Sequence, residues 1–148
     1  MLTKSEVFTG VQQEIVQKES IIQKAFDDLN SAVSNDSKST AGDKHETGRA
    51  MVHLEQEKLS NQLEQVKQLK ETIAQINLNE KHTSIQFGSL VETNKGVFFF
   101  SVGLGKITVK KETVFCLSIT TPLGKALLGK KVGEKVTFNG EIEVVGVW

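Results

Sequence analysis

Residues 121–136 read Thr121-Pro122-Leu123-Gly124-Lys125-Ala126-Leu127-Leu128-Gly129-Lys130-Lys131-Val132-Gly133-Glu134-Lys135-Val136. The punctuation of this run predicts one short helix. Thr121 can cap it by accepting a backbone N–H. Pro122 suits the first helical position, where its missing N–H would have no intrahelical partner. Gly129 can close the helix after Ala126-Leu127-Leu128 by taking the left-handed conformation. Strand-like runs flank the segment. Ser84 to Val91, Gly96 to Val102, Lys106 to Val109 and Thr113 to Ile119 are β-branched or aromatic and are separated by Gly, Asn and Lys. Asn139-Gly140 gives a two-residue hairpin signal between Lys135–Phe138 and Glu141–Val147. A single short helix among strands and tight turns predicts an α+β fold, here an antiparallel sheet with the helix packed on it.

Upstream, the period changes from two to between three and four. Val7, Val11, Ile15, Ile22, Phe26, Leu29 and Val33 step by three, four or seven, which draws an apolar stripe along one helix face. Thr3 followed by Glu6 forms a capping box at its start. Leu59, Leu63, Val66, Leu69, Ile73 and Ile76 make a second stripe at near-heptad spacing. Two long helices joined by a polar loop are expected to pack antiparallel as a coiled-coil hairpin, with a tip at about residues 34–49. The expected division is therefore a helical-hairpin domain over 1–80 and a sheet domain over 81–148.

Charge follows the same division. The 148 residues hold 18 Lys+Arg and 18 Asp+Glu, a net charge of zero. Residues 1–80 hold nine bases and thirteen acids, while 81–148 hold nine bases and five acids, so the halves carry −4 and +4. A neutral total argues against electrostatic binding of free DNA or RNA. No apolar run approaches the roughly 20 residues that span a bilayer. With no secretory signal at Met1–Gly10 and one cysteine, Cys116, which cannot form an internal disulfide, a cytoplasmic location is expected.

The run from Thr121 to Val136 resembles the C-terminal signature of the Gre (GreA/GreB) transcript-cleavage factors of bacterial RNA polymerase. Pro122, Leu123, Gly124, Ala126, Leu127, Leu128, Gly129 and Gly133 carry the resemblance, and in that family they are mostly structural. It implies an FKBP-like C-terminal domain that docks on the polymerase and an N-terminal helical hairpin that enters the secondary channel. At the tip, Gly42-Asp43-Lys44-His45-Glu46 is similar to the family's Gly-Asp-x-x-Glu element. By that resemblance Asp43 and Glu46 are the acidic pair that assists the polymerase in cleaving backtracked RNA, with Lys44, His45 and Arg49 as tip contacts. Mg²⁺ takes oxygen ligands and is commonly held by only one or two carboxylates, so such a pair could help hold a second ion beside the polymerase's own. No cofactor intrinsic to the chain is expected, and the hydrolysis would be the polymerase's. The expected partners are RNA polymerase and, only within it, the 3′ end of the nascent RNA; a monomer is expected, with no membrane contact.

Other readings of the same residues stand beside this one. Asp43-x-x-Glu46 is also an ordinary helix-start geometry. Thr47-Gly48-Arg49-Ala50 follows the pair where Gre factors usually continue with Asn, an acid and an aromatic, which motivates a channel-binding regulator or inhibitor that does not stimulate cleavage. An FKBP-like prolyl isomerase or chaperone is the reading from a different class, resting on fold analogy alone. The spacing of His45, His53 and His82 does not suit a zinc site. Cys116 lies in an apolar run and reads as packing. Lys125, Lys130, Lys131 and Lys135 make a basic face, and Phe98-Phe99-Phe100 on a strand predicts at least one Phe away from the core or under the hairpin.

Overall fold

The computed structural model describes residues 2–36 and 45–148. Two long helices come first, α1 (Lys4–Asp36) and α2 (His45–Ile73). Six strands and one short helix follow: β1 (Leu90–Thr93), β2 (Gly96–Phe100), β3 (Gly105–Val109), β4 (Glu112–Leu117), α3 (Pro122–Leu127), β5 (Lys135–Thr137) and β6 (Glu141–Val147). The fold is α+β. The chain divides into two compact units, one of residues 1–14 with 70–148 and one of 15–69.

Within the 15–69 unit the apolar stripes are the buried faces. Ile15, Ile22, Leu59 and Val66 are buried, while Phe26, Leu29, Val33, Leu63 and Leu69 are half-buried. Gln56 donates from Nε2 to Asn30 Oδ1 at 2.7 Å, a polar tie between the two helices.

The other unit is built on a sheet in the order β3-β4-β2-β1-β6-β5. The sheet is mixed, not wholly antiparallel as expected. β2 and β4 run parallel, with Phe99 opposite Cys116, because the chain passes β4's far neighbour β3 before returning to pair with β2. The expected first strand is also displaced. Gly88 takes φ +88 and turns the chain at Gln86–Ser89, so only 90–93 joins the sheet. Ile85 instead exchanges backbone bonds with the end of the signature run, donating to Lys130 O at 2.8 Å and accepting from Gly129 N at 2.7 Å. The hairpin at Asn139-Gly140 forms, but Thr137 pairs with Glu141, leaving Phe138, Asn139 and Gly140 in a three-residue loop.

Both sheet faces are covered. On one, Val91, Phe98, Phe100, Ile142 and Val144 pack with Ile85 and Leu127 of α3. On the other, the first turns of α1 approach β3 so closely that a Cβ on Gly10 would lie 2.6 Å from Val109 Cγ2. Lys110 and Glu6 form an ion pair at 2.6 Å across the same junction. Phe98, Phe99 and Phe100 are consequently all buried; Phe98 and Phe100 join the core beneath α3, and Phe99 is the expected one turned away from it, on the face toward the start of α1. Each such ring removes about 150–250 Å² from water, which makes β2 the largest contributor to this core.

Candidate functional site

The signature run is held by its own turns. Thr121 has extended backbone (φ −73, ψ 158), and its Oγ1 accepts from Gly124 N at 3.1 Å while donating to Ser118 O at 2.8 Å. Pro122 opens α3, Leu128 N donates to Gly124 O at 2.9 Å, and Gly129 turns out of the helix at φ +81. Gly124 is fixed by contact: a Cβ there would lie 2.2 Å from Ser118 O, so any side chain would push the helix off the preceding turn. Gly133, at φ +90, donates to Val144 O and ties the run's end to β6.

These bonds sort the signature residues by role. Leu127 is fully buried in the core, with Leu123 packed against it and Ala126 half-buried. Pro122, Leu128, Gly129 and Gly133 are exposed. Leu128 and Val132 leave 44% and 57% of their surface open, enough to give this edge an apolar component that the core does not use. Two of the four lysines are neutralised locally, Lys130 by Glu134 at 3.9 Å and Lys135 by Glu141 at 3.2 Å. Lys125 and Lys131 therefore carry most of this segment's uncompensated positive charge. The outward chemistry of the run is apolar and basic together, which suits a protein surface with acidic groups better than a small neutral substrate.

Of the tip residues, Asp43 and Lys44 lie outside the described residues, so their relation to Glu46 lies outside them too. His45 and Glu46 are the first two residues of α2, and Arg49 is exposed one turn further on. Gly48 meets nothing within 4 Å at its Cβ position. Met51 and Leu54, three residues apart on α2, are both 67% exposed and add an apolar element beyond Arg49. Among the described residues no group of three His, Cys, Asp or Glu side chains is placed to hold a metal ion.

A polar cluster that the sequence did not flag lies beside β1. His82 and Ser89 are buried, with Nδ1 and Oγ 2.6 Å apart, and His82 Nε2 is 3.8 Å from Glu80 Oε2. Ser89 Oγ accepts from Gln86 N and keeps both a proton and a second lone pair, so its contact with His82 Nδ1 runs in either direction according to the ring tautomer. Burial holds the ring below the ordinary imidazole pKa, Lys4 adds to this, and Glu80 opposes it. Lys4 is itself buried and donates to Glu80 O at 3.1 Å. Its pKa is lowered by burial and partly restored by Glu80. No helical or strand period reaches residues 77–83, so the burial of His82 had no sequence pattern to announce it. Cys116 is buried, and burial, with Glu14 adding to it, pushes its thiol up to about 12, which leaves it inert.

Residues 80–147 match the family model described as transcription elongation factor, GreA/GreB, C-terminal. Two solved structures are similar along nearly the whole chain. One is the transcription factor Gfh1, at 19% identity and a TM-score of 0.35, covering 99% of this chain and 95% of that one. The other is the GreA factor homolog 1 (Gfh1) protein of Thermus thermophilus, at 17% identity and a TM-score of 0.34, covering 95% and 94%. Both TM-scores are low, and the weight rests on the match over 80–147. No protein of curated function matches the sequence. No helix among the described residues is long and apolar enough to cross a membrane.

Proposed function

We propose, from the match of residues 80–147 to the GreA/GreB C-terminal family model, that this chain is a Gre-family factor that binds bacterial RNA polymerase and stimulates cleavage of backtracked transcript. The single observation that carries this reading is that domain match, preceded in the chain by two helices of 33 and 29 residues. Docking falls to the sheet-bearing part, where Leu128, Val132, Lys125 and Lys131 face outward. The segment between α1 and α2 is the part proposed to enter the secondary channel.

Asp43 and Glu46 offer only carboxylate oxygen, the donor type Mg²⁺ prefers, and they are the residues that would help hold the ion at the polymerase centre. When bound, that ion supplies a Lewis acid for phosphodiester hydrolysis. The factor contributes position and negative charge, and catalysis remains with the polymerase. A stalled-complex assay with the wild type, Asp43→Ala and Glu46→Ala tests this. Wild type should accelerate RNA release and both variants should lose most of the acceleration; no acceleration by the wild type overturns the reading.

Arg49, exposed in the first turns of α2, favours a second reading in which the factor occupies the channel without stimulating cleavage. A cation there would attract RNA phosphate or an incoming nucleotide instead of a metal ion. Inhibition of nucleotide addition that persists in Asp43→Ala and falls in Arg49→Ala would select this reading over the first.

A further inference from the structure

A pocket of about 360 Å³ opens beside the His82 cluster, within the sheet-bearing unit. Its walls include Leu2 and Lys4 from the start of the chain, Leu78, Glu80 and Lys81 from the segment after α2, Leu90 of β1 and Trp148, so one carboxylate stands among two lysines. The volume lies in the range of small-molecule sites, and the lining has their usual make-up of apolar walls with a few polar groups. Trp148 is held in place twice. Its backbone N donates to Leu90 O at 2.9 Å and its O accepts from Leu90 N at 3.0 Å. Its ring lies over Gly146, where a Cβ would meet it at 2.4 Å.

Charge specifies the occupant. Lys4 is 9% exposed, and the partner described for its ammonium is one carbonyl, Glu80 O, whereas an ammonium has three protons to donate. Burial depresses its pKa, the expected response of a cation short of compensation. The Glu80 carboxylate stands off toward His82 and is 56% exposed, so it neutralises Lys4 only in part. Lys81 adds a second positive charge at the rim. An anion in the pocket would give Lys4 a charge-assisted bond, and the apolar walls would take the rest of the molecule.

We propose that this pocket binds a small molecule carrying one carboxylate on an apolar body, with Lys4 as the carboxylate's main partner and Trp148 as one wall. The proposal does not depend on the polymerase reading. Trp148 is the only Trp in a chain without Tyr, so its emission reports the pocket directly. Full-length protein is titrated with decanoate below its micellar range and, separately, with decanol. Decanoate should change the emission saturably, and decanol should bind about tenfold or more weakly, the cost of one lost charged hydrogen bond. Lys4→Met should reduce decanoate to the decanol level, Lys4→Arg should retain most of it, and the rim variant Lys81→Met should weaken it by a smaller factor. Absence of a saturable change, equal binding of decanoate and decanol, or unaltered binding in a folded Lys4→Met would overturn the proposal. The comparison of the two ligands on the wild type decides it even if Lys4→Met fails to fold.

Discussion

His82 Nδ1 and Ser89 Oγ lie 2.6 Å apart with both side chains buried. Ser89 has no exposed surface on which to rearrange, and the adjacent Lys4 repels a second cation. Burial and Lys4 favour the neutral ring over the imidazolium, with Glu80 opposing them.

Acid should therefore weaken the protein through His82. The folded pKa is lowered, chiefly by burial, so the unfolded chain protonates first as pH falls, near its ordinary value of about 6.5. Unfolding then takes up a proton, and stability rises with pH wherever the unfolded state binds more protons. The His82 contribution is complete above about pH 6.5, declines below it, and levels off once the folded ring also protonates. His82→Asn keeps an acceptor near Ser89 and removes the titration. In melts at pH 7.5 and 5.5 the wild type should lose more stability than the variant, and equal losses would show that His82 is not the titrating group.

Two glycines of the signature separate packing from backbone conformation. Gly124→Ala places a methyl 2.2 Å from Ser118 O, a backbone atom that cannot step aside without moving the capped turn. The expected loss is about 2–3 kcal/mol, the upper part of the usual range for overpacking because the neighbour is rigid backbone. Gly129→Ala meets nothing within 4 Å but must hold φ +81. It should cost about 1–2 kcal/mol, the left-handed penalty alone. Chemical denaturation of both variants checks the order, and a Gly129 loss exceeding the Gly124 loss would reverse the assignment of roles.

Features written in local sequence were the ones legible in advance. The stripe Val7, Val11, Ile15, Ile22 and its counterpart Leu59, Val66, Ile73 are buried because helical period dictates which side chains share a face. The Thr121 cap and the Gly129 turn are local too, and both formed as expected. What depended on distant partners was not legible. The parallel β2–β4 pairing needs β3 to be placed first. Phe99 is buried because its sheet face, shared with Cys116, is covered by the turns of α1 near Glu14, more than eighty residues upstream. His82 and Lys4 meet through a loop and a helix start with no common period. Of the proposed tip, Asp43 and Glu46 rest on family resemblance, since their spacing alone fits any helix start.

The β3–β4 turn carries removable strain. Val109 pairs with Glu112, so Lys110 and Lys111 form a two-residue hairpin loop, and both have positive φ, at 47 and 67. Such loops favour Asn and Gly because L side chains crowd the backbone there. Lys110 has the ion pair with Glu6 to offset its conformation, so Lys111 is the better target. Lys111→Gly should stabilise by about 0.5–1.5 kcal/mol, the relieved left-handed cost less the entropy a glycine adds to the unfolded chain. A melting temperature raised by roughly 1–6 °C is expected for a chain of this size; a fall would mean that the Lys111 side chain makes a compensating contact.

Cys116 offers a direct measure of how tightly the sheet and α1 close on one another. Its thiol is 2% exposed, and burial, reinforced by Glu14, pushes it up to about 12. At pH 8 a thiol titrating near 12 has about one part in ten thousand as thiolate, against roughly a quarter for an ordinary one near 8.5. Thiolate is the reactive form, so an aromatic disulfide reagent should label the native protein at least about a thousandfold more slowly than the denatured chain. Removing the α1 contact should narrow that gap. Gly10→Ala puts a methyl 2.6 Å from Val109 Cγ2, and as the helix moves off the sheet both solvent access and the distance from Glu14 to the thiol should rise. Native labelling in Gly10→Ala should accelerate about tenfold or more, corresponding to a local opening eased by about 1.4 kcal/mol. Labelling unchanged from wild type would mean that Val109 rotates to admit the methyl and that the helix keeps its place.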